Sequence, residues 1–208
     1  MSRGWRRGLY AITDCGLIAD ERLPAAVEAA IRGGAVLIQF RDKRSPSPAR
    51  TALARSVLQV CRTAGVPLIV NDDLDLAAEI EADGIHLGRD DVRPAEARAR
   101  LGSQALLGAS CYDRYANAER ALEAGVDYVA FGRFFPSRTK PGAVPADPAL
   151  LRQAAGLGLP VVAIGGITPE NGRTLIDAGA DLLAVVHGVF GQPDVGAAAA
   201  AYARLFDK

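Results

Sequence analysis

The sequence predicts an α/β fold, a (β/α)8 TIM barrel built as a single compact domain over residues 1–208, on three observations. A helical segment closing on Gly, then a small or apolar residue, then a short β-branched run, recurs along the chain. The predicted strands are mostly apolar rather than alternating, as expected of a parallel sheet covered on its outer face. The segments between them carry helical spacing or start at Pro.

In chain order, Leu9–Thr13 is the first apolar run and Pro24–Ile31 the first helix. Arg32-Gly33-Gly34-Ala35 then turns the chain into Val36–Phe40, with Gly as the left-handed residue that stops a helix. Helix Pro48–Cys61 leads through Ala64-Gly65-Val66-Pro67 into Leu68–Val70, and helix Leu74–Ile80 through Ala82-Asp83-Gly84 into Ile85–Leu87. Helix Pro94–Leu101 precedes strand Leu106–Ser110; helix Tyr115–Ala124 and Gly125-Val126-Asp127 precede Tyr128–Phe131. Strand Pro160–Ile164, helix Pro169–Ala178, Gly179-Ala180-Asp181 and strand Leu182–Val186 complete eight units. The Ala-rich tail within 192–208, Ala197 to Tyr202 and onward to Phe206, reads as a closing helix. An open doubly wound sheet is the alternative, but no Gly-x-Gly-x-x-Gly follows the first strand.

With 208 residues and half of them hydrophobic, the chain can bury one sizeable core. Lys and Arg total 24 against 24 Asp and Glu, so a broad nucleic-acid-binding face is not expected. Cys15, Cys61 and Cys111 form no complete disulfide set and no metal spacing, which suits a reducing cytoplasm. The basic start lacks the apolar stretch of a signal peptide, and no run is long enough to span a membrane. The expected location is cytoplasmic and the expected partners are small molecules.

In such barrels the active site lies on the loops that follow the strands. Strand two runs into Gln39-Phe40-Arg41-Asp42-Lys43, strand three into Asn71-Asp72-Asp73, and strand four into Gly88-Arg89-Asp90-Asp91. Strand five ends at Ser110, and strand six is followed by a loop containing Ser137-Arg138-Thr139-Lys140. Strands seven and eight end in Gly165-Gly166 and His187-Gly188. Gly165-Gly166 ahead of a helix start at Thr168-Pro169, beside His187-Gly188, matches the phosphate site barrels build there. Arg41, Lys43 and Lys140 lie on other loops, which implies a second, larger anion. Acids following strands three and four would hold Mg2+, which favours one or two carboxylates plus substrate phosphate oxygens. Spacing alone does not choose between Asp72 and Asp73 or between Asp90 and Asp91, because each also suits a helix N-cap. His86, inside a strand, reads as structural; no His stands beside Cys15 or Cys111 to activate a thiolate. Arg93, Arg98 and Arg100 read as a solvated helix face.

Gln39-Phe40-Arg41-Asp42-Lys43, Asn71-Asp72-Asp73, Asp83 to Gly88 with Asp91, Ser137 to Lys140 and Ile164-Gly165-Gly166-Ile167 together resemble thiamine-phosphate synthases of the superfamily that also holds the thiazole tautomerases. The resemblance runs from about Leu9 to Gly191. It implies a transferase that joins 4-amino-2-methyl-5-hydroxymethylpyrimidine diphosphate to a thiazole phosphate or its carboxylated form by a dissociative, Mg2+-assisted route. By that likeness Gln39, Arg41, Lys43, Asn71 and Lys140 hold the pyrimidine diphosphate, and Asp72 and Asp91 the metal. Ser110 stands beside the pyrimidine; Ser137, Arg138, Thr139, Gly166, Val186 and His187 cradle the thiazole phosphate. Lys140, Arg41 and Ser110 are the residues expected to act on the reacting groups. His187-Gly188 stands where Ser-Ala is commoner, Ser137 where Thr is, Arg89 where Gln is and Arg133 where Pro is. A thiazole tautomerase and a non-catalytic sensor of a thiamine precursor are the rival readings.

Overall fold

A computed structural model of the chain describes residues 7–44, 46–136 and 144–207. Eight strands close a barrel in sequence order, every neighbouring pair parallel. They are β1 (Gly8–Ile12), β2 (Ala35–Phe40), β3 (Leu68–Asn71), β4 (Gly84–Leu87), β5 (Leu106–Tyr112), β6 (Tyr128–Gly132), β7 (Val161–Ile164) and β8 (Leu182–Val185). Around them lie α1 (Leu23–Arg32), α2 (Pro48–Ala64), α3 (Leu74–Glu79), α4 (Pro94–Leu101), α5 (Tyr115–Glu123), α6 (Ala149–Ala154), α7 (Gly172–Asp177), α8 (His187–Phe190) and α9 (Val195–Ala203).

Side chains alternate across each strand, so two cores form on the two faces of one sheet. Tyr10, Ile12, Leu37, Ile69, Tyr128, Val162 and Leu182 fill the barrel interior. Their neighbours in sequence, such as Leu9, Ala11, Ile38 and Val129, point outward and pack under the helices. Both faces are buried, which explains why these strands read as continuous apolar runs.

The recurring acid before alternate strands has a common use. Asp83 accepts the N–H of Leu68 at 2.8 Å, Asp127 that of Leu107 at 2.9 Å and Asp181 that of Val161 at 3.0 Å. Each carboxylate ahead of β4, β6 or β8 thus ties down the first turn of the preceding strand at the barrel's N-terminal end. Arg98 pairs with Asp127 at 2.7 Å and donates to Ala105 O at 2.5 Å, so it anchors that end rather than forming a solvated face.

Three local expectations change. The turn before β4 takes its left-handed residue at Glu81 (φ 55°), while Gly84 is needed because a Cβ there would run into the Leu106 carbonyl. Helix α7 starts at Gly172 rather than Pro169, since Asn171 Oδ1 accepts the Thr168 N–H at 2.8 Å and folds residues 168–171 into a turn. Beyond the expected helices, α6 lies between β6 and β7, and one turn of helix, α8, follows β8 directly.

Candidate active site

A cavity of about 730 Å3 opens at the C-terminal ends of the strands. Of the residues singled out in the sequence, Gln39, Arg41, Asn71, Ser110, Gly166, Val186 and His187 line it. Lys43, Asp72 and Asp91 belong to the rim loops beside it rather than to its wall. Ser137, Arg138, Thr139 and Lys140 lie outside the described residues.

At the β2 side, two cations rest on carboxylates. Arg41 Nη1 donates to Asp14 Oδ2 at 2.5 Å, with both side chains about four-fifths buried. Lys43 pairs with Asp72, whose Oδ2 also accepts Asn71 Nδ2 at 2.7 Å. Asp72 adopts φ 55°, a left-handed conformation that Asp tolerates better than most residues. The next acid faces away from the rim and into the packing below it. Asp73 caps α3 by accepting Leu76 N–H at 2.9 Å and pairs with buried Arg50 at 2.6 Å. Burial pushes the Asp73 carboxyl up, but the Arg50 hydrogen bond and the backbone N–H groups outweigh it and hold it below the usual carboxylate range. Asp73 is therefore the N-cap, whereas Asp72 stays on the rim loop beside Lys43. Asp91 accepts Gly88 N–H through Oδ2 at 2.6 Å. Among the described residues no group of three or more His, Cys, Asp and Glu converges on a point. Asp72 and Asp91 each keep Oδ1 without a hydrogen bond from the described residues, and two carboxylate oxygens completed by phosphate and water are the donor set Mg2+ accepts. The residues present fit that ion.

The opposite side is made of backbone. Gly165 (φ 105°) and Gly166 (φ 63°) turn the chain after β7, and a Cβ on Gly166 would strike the Phe135 and Pro136 carbonyls. The loop after β6 lies directly on this turn: Phe134 N–H reaches Ile164 O at 3.2 Å and Phe135 N–H reaches Gly165 O at 3.0 Å. From α9, Tyr202 OH donates to Ile167 O at 2.9 Å and fixes the same segment from outside. Thr168 and Pro169 line the cavity, but the Thr168 amide is engaged by Asn171 and no helix starts there, so that N–H is not offered to an anion. His187 and Gly188, which open α8, also line the cavity; the Val189 and Phe190 N–H groups bond to Val186 O, which leaves the His187 and Gly188 N–H groups as the donors of that turn.

The floor carries a polar chain that the sequence did not reveal. Gln39 Nε2 donates to Tyr10 OH at 2.6 Å, and Tyr10 OH meets Tyr128 OH at 2.9 Å. His86 Nδ1 lies 3.0 Å from Tyr128 OH and its Nε2 lies 2.9 Å from Ser110 Oγ. His86 thus lines the cavity and contacts two side chains there. Strand parity could have found it: residues at alternate positions, with Gln39 on β2, Asn71 on β3, His86 on β4 and Ser110 on β5, point inward near the strand ends. Asp14, the partner of Arg41, follows β1 and offered no comparable signal.

The two buried thiols are not poised as nucleophiles. Burial pushes Cys61 and Cys111 up to about 12. Arg89 places its guanidinium 4.7 Å from the Tyr112 ring centroid, a cation–π contact that occupies it at the rim.

Comparison with known proteins agrees with this arrangement. The family model described as thiamine monophosphate synthase matches residues 9–189. Thiamine-phosphate synthase of Marinobacter nauticus is 51% identical over 203 residues, covering 97% of this chain and 91% of that protein. Its counterpart in Thiobacillus denitrificans is 54% identical over 200 residues, covering 96% and 94%. Among solved structures, thiamine phosphate pyrophosphorylase from Pyrococcus furiosus superposes with a TM-score of 0.84 at 32% identity, covering 95% of this chain and 94% of that one. A fold and a sequence that agree over nearly the whole length leave one assignment: the chain belongs to the thiamine monophosphate synthase family.

Proposed function

We propose that the protein is a thiamine-phosphate synthase, a transferase that joins 4-amino-2-methyl-5-hydroxymethylpyrimidine diphosphate to a thiazole phosphate, releasing diphosphate. The observation that supports this reading is that one cavity offers two separate sets of groups suited to anions. Arg41 lines the β2 side with Lys43 on the rim loop beside it, and Gly165, Gly166, His187 and Gly188 line the cavity after β7 and β8. A single phosphate would need only the second.

Gln39, Asn71 and Ser110 hold the pyrimidine, and Arg41, Lys43 and Lys140 grip its diphosphate. Asp72 and Asp91 would hold Mg2+, which when bound would supply charge neutralisation for the leaving diphosphate. Gly166, Val186 and His187, with Ser137, Arg138 and Thr139, cradle the thiazole phosphate. The C–O bond to diphosphate breaks with both electrons on oxygen, leaving a cationic methylene that the 4-amino group stabilises. The thiazole ring nitrogen then supplies the pair for the new C–N bond. Such a route asks the protein for positioning and for cations at the departing oxygen, and for no protein nucleophile. No helix among the described residues is long and apolar enough to cross a membrane, in keeping with a cytoplasmic enzyme.

Incubation with both substrates and Mg2+ tests the proposal. Thiamine phosphate and diphosphate appearing in equal amounts are the expected result. Interconversion of thiazole tautomers without condensation would replace it with the tautomerase reading, and binding without turnover with the sensor reading.

A further inference from the structure

The five-residue chain on the cavity floor has a direction, and the geometry points to Tyr128 as the residue that transmits it. Burial raises the hydroxyl pKa of Tyr10 and of Tyr128, so each phenol keeps its one proton. Gln39 Nε2 donates to Tyr10 OH at 2.6 Å. The Tyr10 proton then goes to its other partner among the described residues, Tyr128 OH, at 2.9 Å. With that bond accepted, Tyr128 directs its own proton to His86 Nδ1 at 3.0 Å. An imidazole whose Nδ1 accepts carries its hydrogen on Nε2, which donates to Ser110 Oγ at 2.9 Å. Ser110 keeps its own hydrogen for the cavity, and Gln39 keeps its carbonyl oxygen for it.

We infer that Tyr128 is a positioning residue that locks Gln39 as acceptor and Ser110 as donor, so that the site reads the donor–acceptor edge of an amino-substituted pyrimidine. This rests on the function proposed above. Reversing the Gln39 carboxamide would reverse every bond as far as Ser110, so the two ends cannot change sense independently. A pyrimidine bearing an oxo group beside a ring N–H presents the opposite edge and is refused at both ends together. The architecture holds the coupler firmly. Tyr128 stands edge-on to Tyr10 (83° between rings) and stacks on His86 at 5.6 Å between centroids. Its ring fills the space where a Cβ on Gly108 of β5 would lie.

The test uses Tyr128→Phe, with Tyr10→Phe as a second variant, and two readouts. The sequence holds two histidines, so 15N-imidazole spectra of the substrate-free protein resolve His86 after a His187→Gln control. Wild type is expected to show neutral His86 with its hydrogen on Nε2, and Tyr128→Phe a mixture of tautomers. Tyr10→Phe should give the same drift to a smaller extent. Kinetically, Tyr128→Phe should lower discrimination between the aminopyrimidine diphosphate and its oxo analogue by ~10-fold, about one hydrogen bond, with the thiazole phosphate KM unchanged. Wild-type His86 protonated on Nδ1, a tautomer unmoved by both substitutions, or KM values for the two substrates rising together would overturn the inference. The spectra need no substrate, so they decide the coupling even if the wild-type protein makes no thiamine phosphate.

Discussion

Replacing Arg50 by Met tests whether the rim turn Asn71-Asp72-Asp73 is held from beneath. Arg50 is buried in α2 and donates through Nη1 to Asp73 at 2.6 Å and through Nη2 to Asp42 O at 3.2 Å. Its Nε has no partner among the described residues, so those two bonds fix the guanidinium. Removing one member of a buried pair costs about 3–5 kcal/mol because the other charge is left stranded. Asp73 keeps 20% of its side chain exposed, which places the expected loss near the lower end, about 3 kcal/mol. In urea that loss moves the midpoint down by about 1 M at a slope of roughly 3 kcal/mol/M, with the slope unchanged. The pH dependence has a fixed sign. The Asp73 carboxyl sits below its ordinary value when folded, so its contribution is complete above about pH 4 and fades as pH falls through the folded value. The gap between wild type and Arg50→Met should therefore narrow on acidification below that range. Asp73→Asn keeps the cap acceptor and removes the charge, and in a double-mutant cycle with Arg50→Met it should return a coupling of about 2 kcal/mol or more. A loss under about 1 kcal/mol at pH 7, or additive single changes, would refute the argument.

Three further outcomes are expected. Gly108→Ala should destabilise by about 1–3 kcal/mol, measured in urea, because its Cβ overlaps the Tyr128 ring, and should raise the pyrimidine KM more than the thiazole phosphate KM. Tyr202→Phe strands the buried Ile167 carbonyl and should cost about 1–3 kcal/mol, together with weaker thiazole phosphate binding by calorimetry. Asp91→Ala should abolish Mg2+-dependent turnover while calorimetry still shows thiazole phosphate binding, since Gly166 and His187 are untouched.

The barrel was legible because each strand is buried on both faces and each helix is set off by Pro, Asp or Gly. Leu68–Asn71 and Tyr128–Gly132 begin where their apolar runs begin. The start of α7 was not, because Pro169 is equally at home in the turn that Asn171 closes over Thr168. Helix α8 is four residues long, too short to carry a period. In the site, Asp72 and Asp73 are indistinguishable by spacing. Only the cap to Leu76 and the pair with Arg50 separate them, and Arg50 lies 23 positions away in sequence. Tyr10 and Tyr128 read as core residues, which they are; their hydroxyls meet only when the barrel closes, 118 positions apart.

In the proposed reaction, the ion pair between Lys43 and Asp72 would make the metal and the diphosphate partners in one exchange. A cation taken up by Asp72 releases Lys43, and a diphosphate that takes Lys43 uncovers Asp72. Each ligand removes the competitor of the other, so each should tighten the other by the same factor, as linkage requires. On that proposal Arg41 and Lys43 would meet the substrate already paired with Asp14 and Asp72, and Lys43 would be freed only toward a diphosphate that arrives with its metal.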